Sequence, residues 1–265
     1  MDEKTELDEL EELARKMWDE NNFKEFLSIC DKVLKIEPNN IGALTSKGDA
    51  FHELKRYEDA LIWHNKALEM EPNDIQSLSG KVAALDKLER YKDALNWTNK
   101  ALEVEPKNYN ALANKGLFLD CLGRYKDALI WFNKALEIDP KDIFTLTGKG
   151  DALLHLDECE MALYWFDRSL QVNSNNVHAL NNKGLALYGL EKYRESIVLF
   201  EKILEVDPEN IDALGNIGNI LDKLGQQKEA ITWYDKMLDI HPGNSIAMKN
   251  KKMIERRLKG WKFWK

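Results

Sequence analysis

Every proline in the chain falls on one phase of a 34-residue period: Pro38, Pro72, Pro106, Pro140, Pro208 and Pro242. One copy is skipped, and Ser174 stands in its place. A fixed period of this length constrains the fold more than any local motif. Each copy must be one supersecondary brick that cannot bury its apolar face alone and therefore stacks on its neighbours.

Other columns keep the same phase. One is all leucine (Leu34, Leu68, Leu102, Leu136, Leu170, Leu204, Leu238), and a second runs from Leu54 to Leu258. A glycine column holds Gly48, Gly116, Gly150, Gly184 and Gly218, with Val82 as its exception. A small-residue column holds Ala60, Ala94, Ala128, Ala162, Ser196 and Ala230. Seven units follow without insertion: 7–40, 41–74, 75–108, 109–142, 143–176, 177–210 and 211–244.

Each unit carries helical spacing twice. In the second, Leu44, Gly48, Phe51 and Leu54 form one stripe, and Ala60, His64, Ala67 and Leu68 form another, with Lys55 and Arg56 marking the turn. Proline ends the second helix because its ring cannot continue one. Two residues later stands Asn40, Asp74, Asn108, Asp142, Asn176, Asn210 or Asn244, a short acceptor able to cap the next helix. Glycine within a helix costs about 1 kcal/mol relative to alanine. Its recurrence opposite the alanine column predicts a close approach of the two helices.

These columns resemble the tetratricopeptide repeat family over residues 7–244. The family's usual tryptophan position is leucine here (Leu44, Leu78, Leu112, Leu146, Leu180, Leu214). The resemblance implies an all-α fold, a right-handed α-solenoid of stacked antiparallel helix pairs. It also implies a protein–protein interaction scaffold that takes a peptide or partner protein on a concave face lined by the first helix of each pair. Residues 1–6 form an acidic lead-in, and 245–265 a capping helix with a basic and aromatic tail.

With the phase carried over, the concave positions hold an asparagine series: Asn114, Asn182, Asn216 and Asn250, with Asn181 and Asn219 beside it. An amide both donates and accepts, so spaced asparagines can hold a peptide main chain whatever its sequence. The same face carries Asp49, Asp86, Asp120, Asp151 and Asp222, among which His52, His155 and His178 are scattered. Asp49 and Asp151 join the asparagines as expected peptide contacts. A clamp for a C-terminal carboxylate is not expected, because the best-matching window (Asn181, Leu185, Asn216, Ile246, Asn250) supplies no cation.

Two further columns lie outside the groove. Lys47, Lys81, Lys115, Lys149 and Lys183, with Lys251 beyond them, are expected to lay their stems over neighbouring repeats and carry the ammonium to water. Trp63, Trp97, Trp131, Trp165 and Trp233 are expected to pack between repeats.

Charge narrows the partners. The net charge is −8, yet residues 245–265 hold eight Lys or Arg against one Glu. The first twenty residues hold nine acids against three bases. An acidic body argues against nucleic acid, whose binding needs a basic footprint. The opposed ends suggest a second function, head-to-tail association of copies into a homo-oligomer. The residues expected to carry it are Asp8, Glu11 and Glu12 at one end and Arg256, Arg257, Trp261 and Trp264 at the other.

No phosphate loop, nucleophile elbow or metal-ligand spacing occurs, so the chain is not expected to be an enzyme and no cofactor or metal is expected. Three widely spaced cysteines (Cys30, Cys121, Cys159) and an acidic start without an apolar leader point to a reduced, cytoplasmic protein. No segment approaches the roughly 18 apolar residues of a membrane span.

Overall fold

The computed structural model describes residues 3–262, with side chains described for 5–259. Among the described residues there are fifteen helices and no strand. The chain divides into two compact units, Met1–Ile138 and Asp139–Lys265. The first contains α1 (Glu3–Asp19), α2 (Phe23–Ile36), α3 (Ile41–Glu53), α4 (Tyr57–Met70), α5 (Ile75–Lys87), α6 (Tyr91–Val104), α7 (Tyr109–Cys121) and α8 (Tyr125–Ile138). The second contains α9 (Ile143–His155), α10 (Cys159–Val172), α11 (Val177–Gly189), α12 (Tyr193–Val206), α13 (Ile211–Lys223), α14 (Gln227–Ile240) and α15 (Ser245–Lys262).

Each unit is an α-solenoid in which every helix packs on the next to make antiparallel pairs. The first helices also meet directly, α3 on α5 and α9 on α11. First helices are thus drawn together on one side of each array, which becomes its concave side.

Local chemistry sets these boundaries. Asn40, Asp74, Asn108, Asp142, Asn176, Asn210 and Asn244 each accept the backbone N–H three residues on, at 2.6–3.0 Å. The turn inside each pair uses a left-handed residue: Asn21, Lys55, Glu89, Gly123, Asp157, Glu191 and Gly225, with φ between 55° and 76°. Only two of the seven are glycine, so five L residues carry the strain of that conformation.

The glycine column works differently from the sequence expectation. Helices do approach there, since Ser196 Oγ donates to the Gly184 carbonyl at 2.7 Å. The space a Cβ would fill, however, belongs to a ring one turn beyond the alanine column. A Cβ on Gly150 would come within 2.5 Å of the Phe166 ring, and one on Gly116 within 2.6 Å of Phe132. Phe200 and Tyr234 close on Gly184 and Gly218 at 2.7 and 2.9 Å, and His64 on both Gly48 and Gly80. The glycines are seats for rings sixteen residues downstream. Val82 stands in the glycine position of the repeat 75–108, whose own ring position holds Thr98, and both are buried.

α15 buries Ala247 and Ile254, while Met248 and Met253 are exposed. Trp264 lies outside the described residues, as does the side chain of Trp261.

Candidate peptide-binding face

The second unit gathers most of the expected site residues on its first helices. Asp151 on α9 reaches α11, where its Oδ2 lies 2.8 Å from His178 Nε2 and its Oδ1 accepts Asn182 Nδ2 at 2.6 Å. Asn181 Nδ2 donates to Asn182 Oδ1 at 3.0 Å. The hydrogen bond to Asp151 raises the His178 pKa above the ordinary imidazole value, against the opposing effect of burial. Asp151, Asn181 and Asn182 therefore form one polar cluster with His178.

A second cluster sits further along. Tyr234 Oη donates to Asn219 Oδ1 at 2.7 Å, and Asn250 Nδ2 reaches the same oxygen at 3.1 Å. Asn216 makes no side-chain hydrogen bond among the described residues and lines a cavity of about 230 Å³ together with Leu185, Tyr188, Phe200, Asn219 and Asp222. Asp222 accepts Arg257 NH2 at 2.6 Å, and its other carboxylate oxygen is buried without a partner. Leu185 is 37% exposed at the cavity mouth. The arrangement is a recess with Leu185, Tyr188, Phe200 and Ile220 on its apolar part and Asn216, Asn219, Asp222 and Lys223 on its polar part, which can seat one side chain while the amides meet the adjoining main chain.

Asn114 and Asp49 lie in the first unit. Asn114 is half-buried on α7. Asp49 on α3 accepts Gln76 Nε2 at 3.2 Å and lies 3.6 Å from His64 Nε2. Burial is the main reason its carboxyl is held above the usual carboxylate range. Of the residues expected to drive self-association, Asp8, Glu11, Glu12 and Arg256 are exposed, and Arg257 is held by its own Asp222.

Four members of the lysine column turn their charge onto tryptophan rings, whereas Lys183 and Lys251 pair with Asp167 and Asp235. The ammonium groups of Lys47, Lys81, Lys115 and Lys149 sit 3.3–3.7 Å from the ring centroids of Trp63, Trp97, Trp131 and Trp165. Lys47 and Lys81 are only 6% and 8% exposed. Lys66 and Lys134 meet Trp63 and Trp131 from the same second helices, each at 3.9 Å. An attraction of about 0.5–2 kcal/mol per ring explains why the stems fold back. Burial pushes the Lys81 and Lys149 ammonium groups down to about 8. The tryptophans do pack between repeats, Trp131 lying with Leu102 and Leu112.

Sequence reasoning missed two contributors. Tyr234 was hidden in a column otherwise filled by His64, Thr98, Phe132, Phe166 and Phe200; its hydroxyl alone distinguishes it. Tyr188 was hidden because nothing local marks a half-buried ring as a cavity wall.

Two tetratricopeptide repeat models match the chain, one over residues 81–143 and 181–245, the other over 41–74. The chain belongs to the tetratricopeptide repeat family, whose members are generally protein–protein interaction scaffolds. Among solved structures it is similar to a tetratricopeptide repeat protein from Parabacteroides merdae ATCC 43184, with TM-score 0.73, 18% identity, and 94% of this chain and 98% of that one covered. It is also similar to YrrB, a tetratricopeptide protein with an unusual peptide-binding site, with TM-score 0.58, 26% identity, and 71% and 97% covered. A third likeness is to the APC/C hetero-tetramer Cut9-Hcn1, with TM-score 0.74, 15% identity, and 91% of this chain and 48% of that one covered. No curated protein matches the sequence. No helix of the described residues is long and apolar enough to cross a membrane.

Proposed function

We propose that this chain is a non-enzymatic scaffold that holds an extended peptide segment of a partner protein on the first-helix face of its second unit. Asn182, Asn216, Asn219 and Asn250 contact the main chain, and the recess beside Leu185 and Tyr188 takes a side chain. The observation that carries this reading is Asn216, an amide with no side-chain hydrogen bond among the described residues, in the wall of a cavity that mixes apolar and polar side chains. The peptide-binding site of YrrB, the relative at 26% identity, supports it. Asn114, Asp49 and Asp151 extend the polar surface, with Asp151 orienting Asn182. Free cysteines at positions 30, 121 and 159 fit a reducing, cytoplasmic setting.

Selection of a random-peptide display library on the full chain tests the reading. A related family of peptides should be enriched, and a photo-crosslinking residue at Leu185 should capture them while one at Val198 on α12 should not. No enrichment, or capture from Val198 alone, contradicts it.

A second reading is favoured by the charge split between residues 1–20 and 245–265: copies of the chain associate head to tail. Light scattering across protein and salt concentration tests it. A monomer whose size ignores both removes this reading and leaves the first intact.

A further inference from the structure

A cavity of about 430 Å³ opens between α1, α2 and α3, with Gln76 of α5 also in its lining. That volume falls within the roughly 300–1,000 Å³ of pockets that enclose a drug-sized ligand. Its floor is apolar, built from Trp18 of α1 and Phe26, Ile29 and Val33 of α2. Its rim carries Glu11 and Arg15 from α1 and Asp49 from α3.

Asp49 is the unusual member of the rim. No lysine or arginine lies within ion-pair distance of it among the described residues. The basic side chain nearest to it is His64, 3.6 Å away. His64 is fully buried, and that burial pushes its pKa down to about 4, so at neutral pH it brings no charge. Asp49 is thus a half-buried carboxylate whose hydrogen bond comes from a neutral amide, that of Gln76, and which no cation pairs among the described residues, Arg15 on the same rim included, a situation that favours a ligand able to supply one. The cavity is therefore suited to an apolar, ring-sized group with positive charge beside it.

The chain itself contains such a segment. Residues 256–265, RRLKGWKFWK, hold five cations, no acid and three aromatic rings. The rest of the chain holds 33 Lys or Arg against 46 Asp or Glu, a net charge of −13. The helix that walls the cavity belongs to the most acidic stretch, with nine acids in the first twenty residues.

We propose that the cavity between α1, α2 and α3 is the receptor for the segment 256–265 of a second copy of this chain, with an aromatic ring on the Trp18–Phe26–Ile29 floor and a flanking cation on Asp49. The proposal rests on the head-to-tail reading and adds to it the location of the acceptor. It makes the contact heterologous, so copies add in one direction. Long-range attraction between the acidic helix and the basic segment speeds encounter and is screened by salt. The ring in the cavity supplies the part that salt does not remove.

The test compares the full chain with two variants by sedimentation velocity at low and high salt. One is Asp49→Lys; the other is Trp261→Ser/Phe263→Ser/Trp264→Ser. A fluorescein-labelled peptide of residues 256–265 is titrated into the triple variant, and Ala14→Trp, which fills the cavity from α1, serves as a second receptor variant should Asp49→Lys fail to fold. Concentration-dependent association in the wild type is expected, at least tenfold weaker in every variant, with peptide affinity reduced at least tenfold when Asp49→Lys is added. Association or peptide binding indifferent to both Asp49→Lys and Ala14→Trp overturns the cavity while leaving head-to-tail assembly standing. A wild type that stays monomeric at all concentrations overturns both. Mixed-isotope crosslinking that joins 256–265 to α1–α3 only within one chain overturns the second copy as occupant.

Discussion

The repeats 143–176 and 75–108 fill the same place in opposite ways. In the first, Gly150 leaves a hollow and Phe166 occupies it, a Cβ there being only 2.5 Å from the ring. In the second, the larger Val82 and the smaller Thr98 hold the two positions, both buried, and the Thr98 hydroxyl donates to the Ala94 carbonyl at 2.8 Å. Volume is conserved across two columns sixteen residues apart, as close-packed interiors require. A glycine of this column therefore marks where the partner helix places a ring, unlike Gly42, Gly189 and Gly215, which also lie in helices but seat none. This bears on the candidate site, because Tyr234 of the ring column reaches Asn219, and Phe200 lines the same cavity as Asn216.

The comparison can be broken most severely at the ring. Phe166→Ala should cost about 3–5 kcal/mol in denaturant unfolding, since it removes a fully buried phenyl group and leaves a void. Gly150→Val should cost about 1–3 kcal/mol through overpacking. The double variant Gly150→Val/Phe166→Thr, which copies the arrangement at Val82 and Thr98, should recover more than about 1 kcal/mol of what additivity of Gly150→Val and Phe166→Thr predicts. Strict additivity would show that the two columns are independent.

His64 sharpens the comparison next. It occupies the ring position, but both of its ring nitrogens are buried without a hydrogen-bond partner. His64→Phe should raise stability at pH 7 by about 1–2 kcal/mol, because it removes two unsatisfied polar atoms and keeps the shape. The wild type should also be more acid-sensitive. Burial lowers the folded pKa from 6.5 to about 4, so the unfolded chain takes up the proton first. The stability from keeping this ring neutral is whole above pH 6.5 and is lost as pH falls toward 4. The loss is on the order of 3 kcal/mol. His64→Phe should flatten the pH profile in that window when melting is followed by circular dichroism; an unchanged profile would count against the neutral buried ring.

The smallest effect is expected in the turns. Gly123 and Gly225 adopt a left-handed conformation that Glu89 must adopt with a Cβ. Glu89→Gly should stabilise by about 1 kcal/mol or less, the reverse of the usual cost of glycine. A loss would show that the Glu89 side chain has a role of its own.

Much of the fold was legible because it is written in repetition. The proline and cap columns predict each helix start, and the seven cap hydrogen bonds follow from a short acceptor placed two residues after the stop. The left-handed turn position was not legible, since Lys55, Glu89, Asp157 and Glu191 carry no glycine signal there. Nor was the fate of the lysines. Lys81 meets Trp97 across two helices, at a spacing that matches neither helix nor strand period. The site was half legible: the phase put Asn182, Asn216, Asn219 and Asn250 on one side. Which of them would be engaged and which left open depends on Asp151 and Tyr234, through contacts that no single-helix pattern reports.

The account stands most directly on where a ligand is held. A library-selected peptide should be titrated, by calorimetry, into the wild type, into Asn182→Ala/Asn216→Ala on the first-helix side, and into Tyr164→Ser/Val198→Ser on the exposed second-helix side. The account predicts at least a tenfold loss for the asparagine pair and no change for the other. Undiminished affinity without the asparagines, with loss at Tyr164 and Val198, would contradict it.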